Sequence, residues 1–253
     1  MEETGKNPIQ VAERLFQVIE RLAENGPMGI MDLSAELGFH KSTTHRLVTS
    51  LQYMGYIRQD EESLKYALSL KFLEIGSKIL EQTNMASLIH PSLKKLSEQT
   101  GETVHLVRRE GTEAVYIDKV ESTVSSIRMV SRVGSRIPLY CSGVGKALLA
   151  ELPDPEIEDI WNSSEITPLT PYTVTSLSDL MDRIRGVREA GYAMDDEENE
   201  EGVRCIAVSI PDYHKEPVYA LSISAPVSRM TDARIAELST DVLTFKKDLE
   251  KTL

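Results

Sequence analysis

Four groups of residues in this 253-residue chain have types and spacings that could do chemistry. The first is Lys41-Ser42-Thr43-Thr44-His45-Arg46, with Thr49 one helical turn further on. An arginine can bridge a guanine edge with two hydrogen bonds, and short hydroxyls bond phosphates and base edges. The second is Ser142-Gly143-Val144-Gly145-Lys146. A Gly-rich helix start offers free backbone N–H groups that suit a small carboxylate. Glycines needed only for tight helix packing would read the same way. The stretch is not a P-loop, because Ala147 follows the lysine and Tyr140 stands where the first glycine belongs. The third is Ser222 and Ser224, whose spacing of two puts both on one face of a strand. They suit a polar ligand, and they equally suit bonds to neighbouring backbone.

The fourth group is Asp195 and Cys205. As a nucleophile, Cys205 would need a base, and the only histidine close in sequence, His214, falls in a predicted turn. A buried cysteine more often serves as a small hydrophobe. Asp195 opens the acidic run Asp195-Asp196-Glu197-Glu198-Asn199-Glu200-Glu201, which reads as a solvated loop with only its first member as a site candidate. His90, His105 and Cys205 lack the close pair spacing of structural zinc sites, so no metal is expected. No cofactor fingerprint is present, which leaves an enzyme as the rival reading only.

Composition restricts the partners. The chain carries a net charge of −12, with 28 Lys and Arg against 40 Asp and Glu. Any DNA-binding surface must therefore be local. Leu37 to Gln59 contains no acid and holds Lys41, Arg46 and Arg58, the kind of strip that can face phosphates. There is no apolar h-region at the N-terminus and no apolar run of roughly 20 residues. Two cysteines are too few for a disulfide scaffold. These features predict a cytoplasmic protein with no membrane partner.

The elements that must position these groups follow from periodicity. Val11, Leu15, Val18 and Leu22 predict a helix stopped by Asn25-Gly26-Pro27. A short helix over Met31–Leu37 ends at Gly38, and a third runs from Lys41 to Met54. Ile57-Arg58 and Lys65–Leu68 read as strands joined through the polar tip Gln59–Ser63. Three helices and a hairpin make a winged helix-turn-helix. Within the third helix, Leu47, Val48, Leu51 and Met54 cluster on one side with Thr44, while Ser42, His45, Arg46, Thr49 and Tyr53 lie opposite. The candidate DNA contacts are Lys41, Ser42, Thr43, Thr44, His45, Arg46 and Thr49, with Lys65 and Tyr66 on the wing as secondary phosphate contacts. A small helical bundle with a polar outer face would show the same pattern.

A helix from Leu70 to Gln82 is apolar at Phe72, Leu73, Ile75, Ile79 and Leu80, wide coverage that suggests packing against a second subunit. Beyond it, helices are expected at Met85–Thr100, from Ser142, at Glu156–Asn162, Leu177–Ala190 and Asp232–Lys251. Strands are expected at Thr103–Arg109, Ala114–Val120, Ile127–Val133, Tyr192–Met194, Val203–Ile210 and Val218–Ala225. Helices segregated around a mostly antiparallel sheet give an α+β domain. The predicted organisation is a DNA-binding domain over residues 8–68, a linker or dimerisation helix over 69–83, and an effector-binding domain over 84–253.

The runs HKSTTHRLVTSLQYMGYIR and KYALSLKFLEIG resemble the DNA-binding domain and linker of the IclR family of bacterial regulators. RMVSRVGSRIPLYCSGVGKALLA and GVRCIAVSIPD…PVYALSISAP resemble that family's effector domain. One departure is His40, where relatives often have a small helix-capping residue. The resemblance implies a GAF-like α+β effector domain and a homodimer on double-stranded operator DNA, and it allows a dimer of dimers. It also implies a small oxo acid held by Gly143, Val144, Asp195, Cys205, Ser222 and Ser224, with Met129, Ile137 and Val203 on the apolar side. Within the family, EESLKYALSLKFLEIG and GYAMDDEENEEGVRCIAV are similar to the ketodeoxygluconate regulon repressors, which implies 2-keto-3-deoxygluconate as effector. Arg128 and Arg132 share one side of their predicted strand, as a carboxylate clamp or as a solvent-facing pair.

Overall fold

The computed structural model describes residues 7–82, 84–122, 130–212 and 216–251. The chain divides into two compact units that meet between residues 82 and 83.

The first unit runs α1 (Gln10–Asn25), α2 (Ile30–Leu37), α3 (Lys41–Tyr53), β1 (Ile57–Gln59), β2 (Tyr66–Leu68) and α4 (Lys71–Gln82). Its core joins Val18 and Leu22 of α1, Leu33 of α2, and Leu47, Val48 and Leu51 of α3 to Ile57 and Tyr66. Those spacings of three and four put each helix's apolar stripe inward. Gly38 closes α2 in the left-handed region at φ +65°, so the chain can turn at once into α3. β1 and β2 pair antiparallel, Ile57 opposite Leu68, and Met28 bridges to Tyr66. The start of α4 is fixed to this wing. Lys71 Nζ donates to the Met54 carbonyl at 2.7 Å and lies 4.3 Å from the Tyr56 ring centroid, while the Tyr56 and Phe72 rings are 5.3 Å apart.

The second unit holds α5 (Asn84–Thr100), β3 (Thr103–Glu110), β4 (Glu113–Val120), β5 (Arg136–Pro138), α6 (Gly143–Ala150), α7 (Asp154–Ser163), α8 (Leu177–Ala190), β6 (Ala193–Asp196), β7 (Val203–Ile210), β8 (Tyr219–Pro226) and α9 (Asp232–Glu250). The strands form one antiparallel sheet in the order β5-β4-β3-β8-β7-β6. One face packs Val104, Leu106, Ile206, Val208, Leu221 and Ile223 against α5 and α9. The other packs Val107, Ala193, Ala207 and Ala220 under α6, with α7 and α8 behind. Small alanines let α6 lie close to the sheet. Gly145 lets α6 fold back on the segment before it, since a Cβ there would stand 2.2 Å from the Leu139 carbonyl oxygen.

The predicted strand Ile127–Val133 is not found where it can be tested. Ile127, Arg128 and Met129 lie outside the described residues, and 130–133 are irregular, leading into a turn closed by the Ser135 N–H on the Arg132 carbonyl at 3.0 Å. Pairing resumes at β5, which periodicity did not mark. Three residues ending in a proline leave too little pattern, and proline is tolerated there because β5 is an edge strand. Among the described residues, no helix is long and apolar enough to cross a membrane.

Candidate DNA interface and ligand site

α3 starts at Lys41, with His40 extended before it and making no side-chain cap. The N–H groups of Thr43 and Thr44 bond the His40 carbonyl at 2.9 and 3.0 Å. Those of Lys41 and Ser42 have no partner among the described residues, so the positive end of the helix dipole is open to a phosphate. Lys41, Ser42, His45, Arg46 and Thr49 are exposed, Thr43 is half-buried, and Thr49 Oγ1 lies 3.5 Å from His45 Nδ1. Lys65 is exposed at the hairpin.

Two expected contacts do not belong to this surface. Thr44 is fully buried, its hydroxyl turned back on the His40 carbonyl at 3.4 Å, because it shares the apolar side of α3 with Leu47 and Val48. Tyr66 sits in the core, and its backbone N–H and carbonyl are both committed to Met28.

The second constellation lies on the α6 face of the sheet. Register pairs Asp195 with Cys205, Cys205 with Ser224, Ser222 with His105, and Ser222 with Ala207. Alternation then puts Asp195, Cys205, Ser224, Ser222 and His105 on one face. Val203 precedes Cys205 by two on the same face and is half-buried. The start of α6 covers this row, and a Cβ on Gly143 would meet Asp195 Cβ and Ala207 Cβ, both at 3.5 Å. Ser142 caps α6 by accepting from the Gly145 N–H at 3.1 Å, while its hydroxyl donates to the Pro138 carbonyl. The Gly143 and Val144 N–H groups have no partner among the described residues. Ile137 is buried but is paired with Ala114, further along the sheet from the serines, so it belongs to the apolar core under α6. Met129, a predicted apolar wall, lies outside the described residues. Arg132 is exposed.

The electrostatics are those of a buried polar cluster. Asp195 is 3 % exposed, and its Oδ1 accepts from the N–H groups of Glu198 at 2.8 Å and Asn199 at 3.3 Å. Burial pushes its carboxyl up to about 7, with Glu198 adding to the rise and Lys146 opposing it. Lys146 and Glu198 form a fully buried ion pair, and Glu198 Oε2 has no hydrogen-bond partner among the described residues. Thr170 and Thr173 hold the carbonyls of Glu197 and Glu198, each at 2.7 Å, which pins the β6–β7 loop. Burial raises the Cys205 thiol well above its ordinary value, so it stays protonated and is a poor nucleophile. Burial, aided by Lys119, lowers His105 to about 3, so this imidazole is neutral. Among the described residues, no group of histidine, cysteine and carboxylate side chains could hold a metal ion.

A family model for the IclR helix-turn-helix domain matches residues 11–61, and one for the bacterial transcriptional regulator IclR C-terminal domain matches residues 77–250. The chain belongs to the IclR family of bacterial transcriptional regulators. The acetate operon repressor of Salmonella typhimurium is 36% identical over 244 residues, covering 95% of this chain and 89% of that protein. The transcriptional regulator KdgR of Escherichia coli is 37% identical over 234 residues, covering 92% and 89%. The crystal structure of the Thermotoga maritima IclR matches with a TM-score of 0.81 at 31% identity, covering 96% of this chain and 98% of that one. This IclR-family chain is a ligand-responsive DNA-binding regulator and not an enzyme. The KdgR proteins are close relatives, but a regulator with a different name is equally close, so similarity alone does not select an effector.

Two residues of this buried cluster, Glu198 and His105, do not stand out as site residues in the sequence. Glu198, expected in a solvated run, is buried against Lys146. The signal was Lys146 itself, a lone charge in the apolar helix GVGKALLA, which cannot be buried without a counterion. His105, weighed only as a metal ligand, lies beside both serines. Strand pairing brings it there across 117 residues, and no local pattern signals that.

Proposed function

We propose that this regulator is a repressor of sugar-acid catabolism genes whose operator affinity is altered by 2-keto-3-deoxygluconate or a related small keto acid. The observation that carries this reading is the row Asp195, Cys205, Ser224 and Ser222 beneath the open Gly143 and Val144 N–H groups. A carboxylate at the helix start would meet two amide donors and the positive end of α6. The serine pair would then reach the adjacent oxygen, with Val203 as an apolar neighbour. Similarity to KdgR supports the six-carbon acid. Equal similarity to an acetate operon repressor keeps a smaller acid, such as glyoxylate or pyruvate, as the second reading.

At the other end, Lys41, Ser42, Thr43, His45, Arg46 and Thr49 would enter the major groove, with Lys65 on a flanking phosphate. Leu70, Leu73 and Ile75 leave large apolar surfaces exposed along α4 and its approach, and Phe16 does so on α1. A second copy covering them would give the homodimer that a two-fold operator requires. A thermal-shift panel of glyoxylate, pyruvate, 2-keto-3-deoxygluconate and benzoate tests the effector. A ligand that binds only the folded state raises the melting temperature. The largest rise is expected with 2-keto-3-deoxygluconate. No rise with it, beside a rise with glyoxylate or pyruvate, would transfer the proposal to the smaller acid.

A further inference from the structure

Ser222 Oγ, Ser224 Oγ and His105 Nδ1 form a triangle with sides of 3.4, 3.3 and 3.4 Å. Those separations are longer than good hydrogen bonds, which fall at roughly 2.7–3.0 Å. The three groups thus lie close enough to share one partner and bond one another only weakly, with Ser224 also beside the Cys205 thiol. His105 Nε2, by contrast, is firmly engaged with Ser131 Oγ at 2.8 Å. Lys119 Nζ holds the Ser131 carbonyl at 2.8 Å, and the Tyr116 ring centroid lies 5.2 Å from that of His105, so the imidazole is fixed on two sides. His105 is 2 % exposed, and each serine is 4 % exposed.

We propose that His105 is a specificity-determining residue of the effector site: its Nδ1–H and the Ser222 and Ser224 hydroxyls form a three-donor cradle for the 2-oxo oxygen of the ligand. The inference rests on the small oxo-acid reading above and deepens it. A neutral imidazole carries one N–H and one acceptor nitrogen. When the Ser131 hydroxyl donates to Nε2, the proton resides on Nδ1 and points into the triangle. Three neutral donors converging on one point suit an atom that only accepts, such as a carbonyl oxygen. A methylene in its place would leave all three with only their long mutual contacts in a buried site, an arrangement that discriminates against an analogue lacking the group. The carboxylate then falls to the α6 start, so the two ends of an oxo acid are read by separate donor sets.

The test measures discrimination rather than affinity alone. Calorimetric titration of the full chain compares three pairs: glyoxylate with acetate, pyruvate with propionate, and 2-keto-3-deoxygluconate with its borohydride-reduced 2-hydroxy form. Wild type is expected to prefer the oxo member of its best-bound pair by at least tenfold. His105→Leu is expected to lose most of that preference by weakening the oxo acid alone, and His105→Asn, which keeps a donor, to restore it in part. Histidine 15N resonances of the wild type, which remain informative if His105→Leu fails to fold, should show the Nδ1–H tautomer and move on ligand addition. An unchanged preference in His105→Leu, or an Nε2–H tautomer unaffected by ligand, overturns the role of His105 while the oxo-acid reading stands. Failure of wild type to bind any oxo acid of the three overturns both.

Discussion

Arg46 stands on the exposed face of α3 between His45 and Leu47, and no carboxylate pairs with it among the described residues. A free guanidinium on the exposed first turns of a recognition helix is placed to bond a guanine edge or a phosphate. Arg46→Ala should weaken operator binding by about 10- to 100-fold, equivalent to about 1–3 kcal/mol, and leave calorimetric effector binding unchanged. Equal gel retardation by the variant and the parent would remove Arg46 from the interface. At Asp195, burial raises the carboxyl from 3.8 to about 7. Between those values the folded state holds a proton that the unfolded state has released. Stability from this group therefore falls as pH rises from about 4 to 7 and stays lower above 7. The surrounding titratable and charged groups are Lys146, Glu198 and Glu200 with the thiols of Cys141 and Cys205 and the phenol of Tyr116. Urea melts at pH 5 and pH 8 should show a larger loss in wild type than in Asp195→Asn, and parallel losses would contradict the assignment. The sequence suggested which residue types could act, but Thr44 and Tyr66 show its limit. Type alone offered a hydroxyl and a phenol for DNA, whereas three-dimensional packing had already committed both to the core.

Helix α6 is the element on which the proposed ligand site depends. Its glycines let it approach β6, β7 and the Leu139 backbone, and its one lysine anchors the β6–β7 loop through Glu198. That anchor places the Glu198 N–H on Asp195, so the pair positions the Asp195 carboxyl. Burying two charges costs more than packing apolar groups of the same size, but breaking such a pair costs about 3–5 kcal/mol because one charge is left uncompensated. Lys146→Met should accordingly lower stability by about that amount, and the double variant Lys146→Met with Glu198→Leu should recover most of it. The lone Trp161, packed edge-on at 6.0 Å from Tyr140 in the same core, gives a fluorescence reading of the transition. A double variant as unstable as the single would show that the pair stabilises through more than mutual compensation. The four helices of the first unit, α8, α9 and the long strands β3, β7 and β8 were legible because each carries a full period of apolar spacing. β5 was not, having only three residues on an edge, and neither was the sheet order, which long-range pairing decides.

The whole molecule carries, in separate units, a helix with a basic, acid-free face and a buried polar cluster proposed to hold a small acid, within a chain whose net charge is −12. That overall charge opposes nonspecific binding to DNA, so affinity must come from the local strip and, on the proposed homodimer, from two such heads on one operator. The coupling between the two sites is a free energy and is reciprocal: whatever factor the effector imposes on DNA affinity, DNA imposes on effector affinity. The most direct measurement takes a duplex enriched by the protein from a random pool. It titrates that duplex by fluorescence anisotropy with and without saturating 2-keto-3-deoxygluconate, then repeats the effector titration with and without duplex. The expected result is a change of operator affinity by roughly 5- to 150-fold, matched by an equal factor in effector affinity. Operator binding that is identical at every concentration of every oxo acid tried, in a protein that binds both partners, would contradict the account.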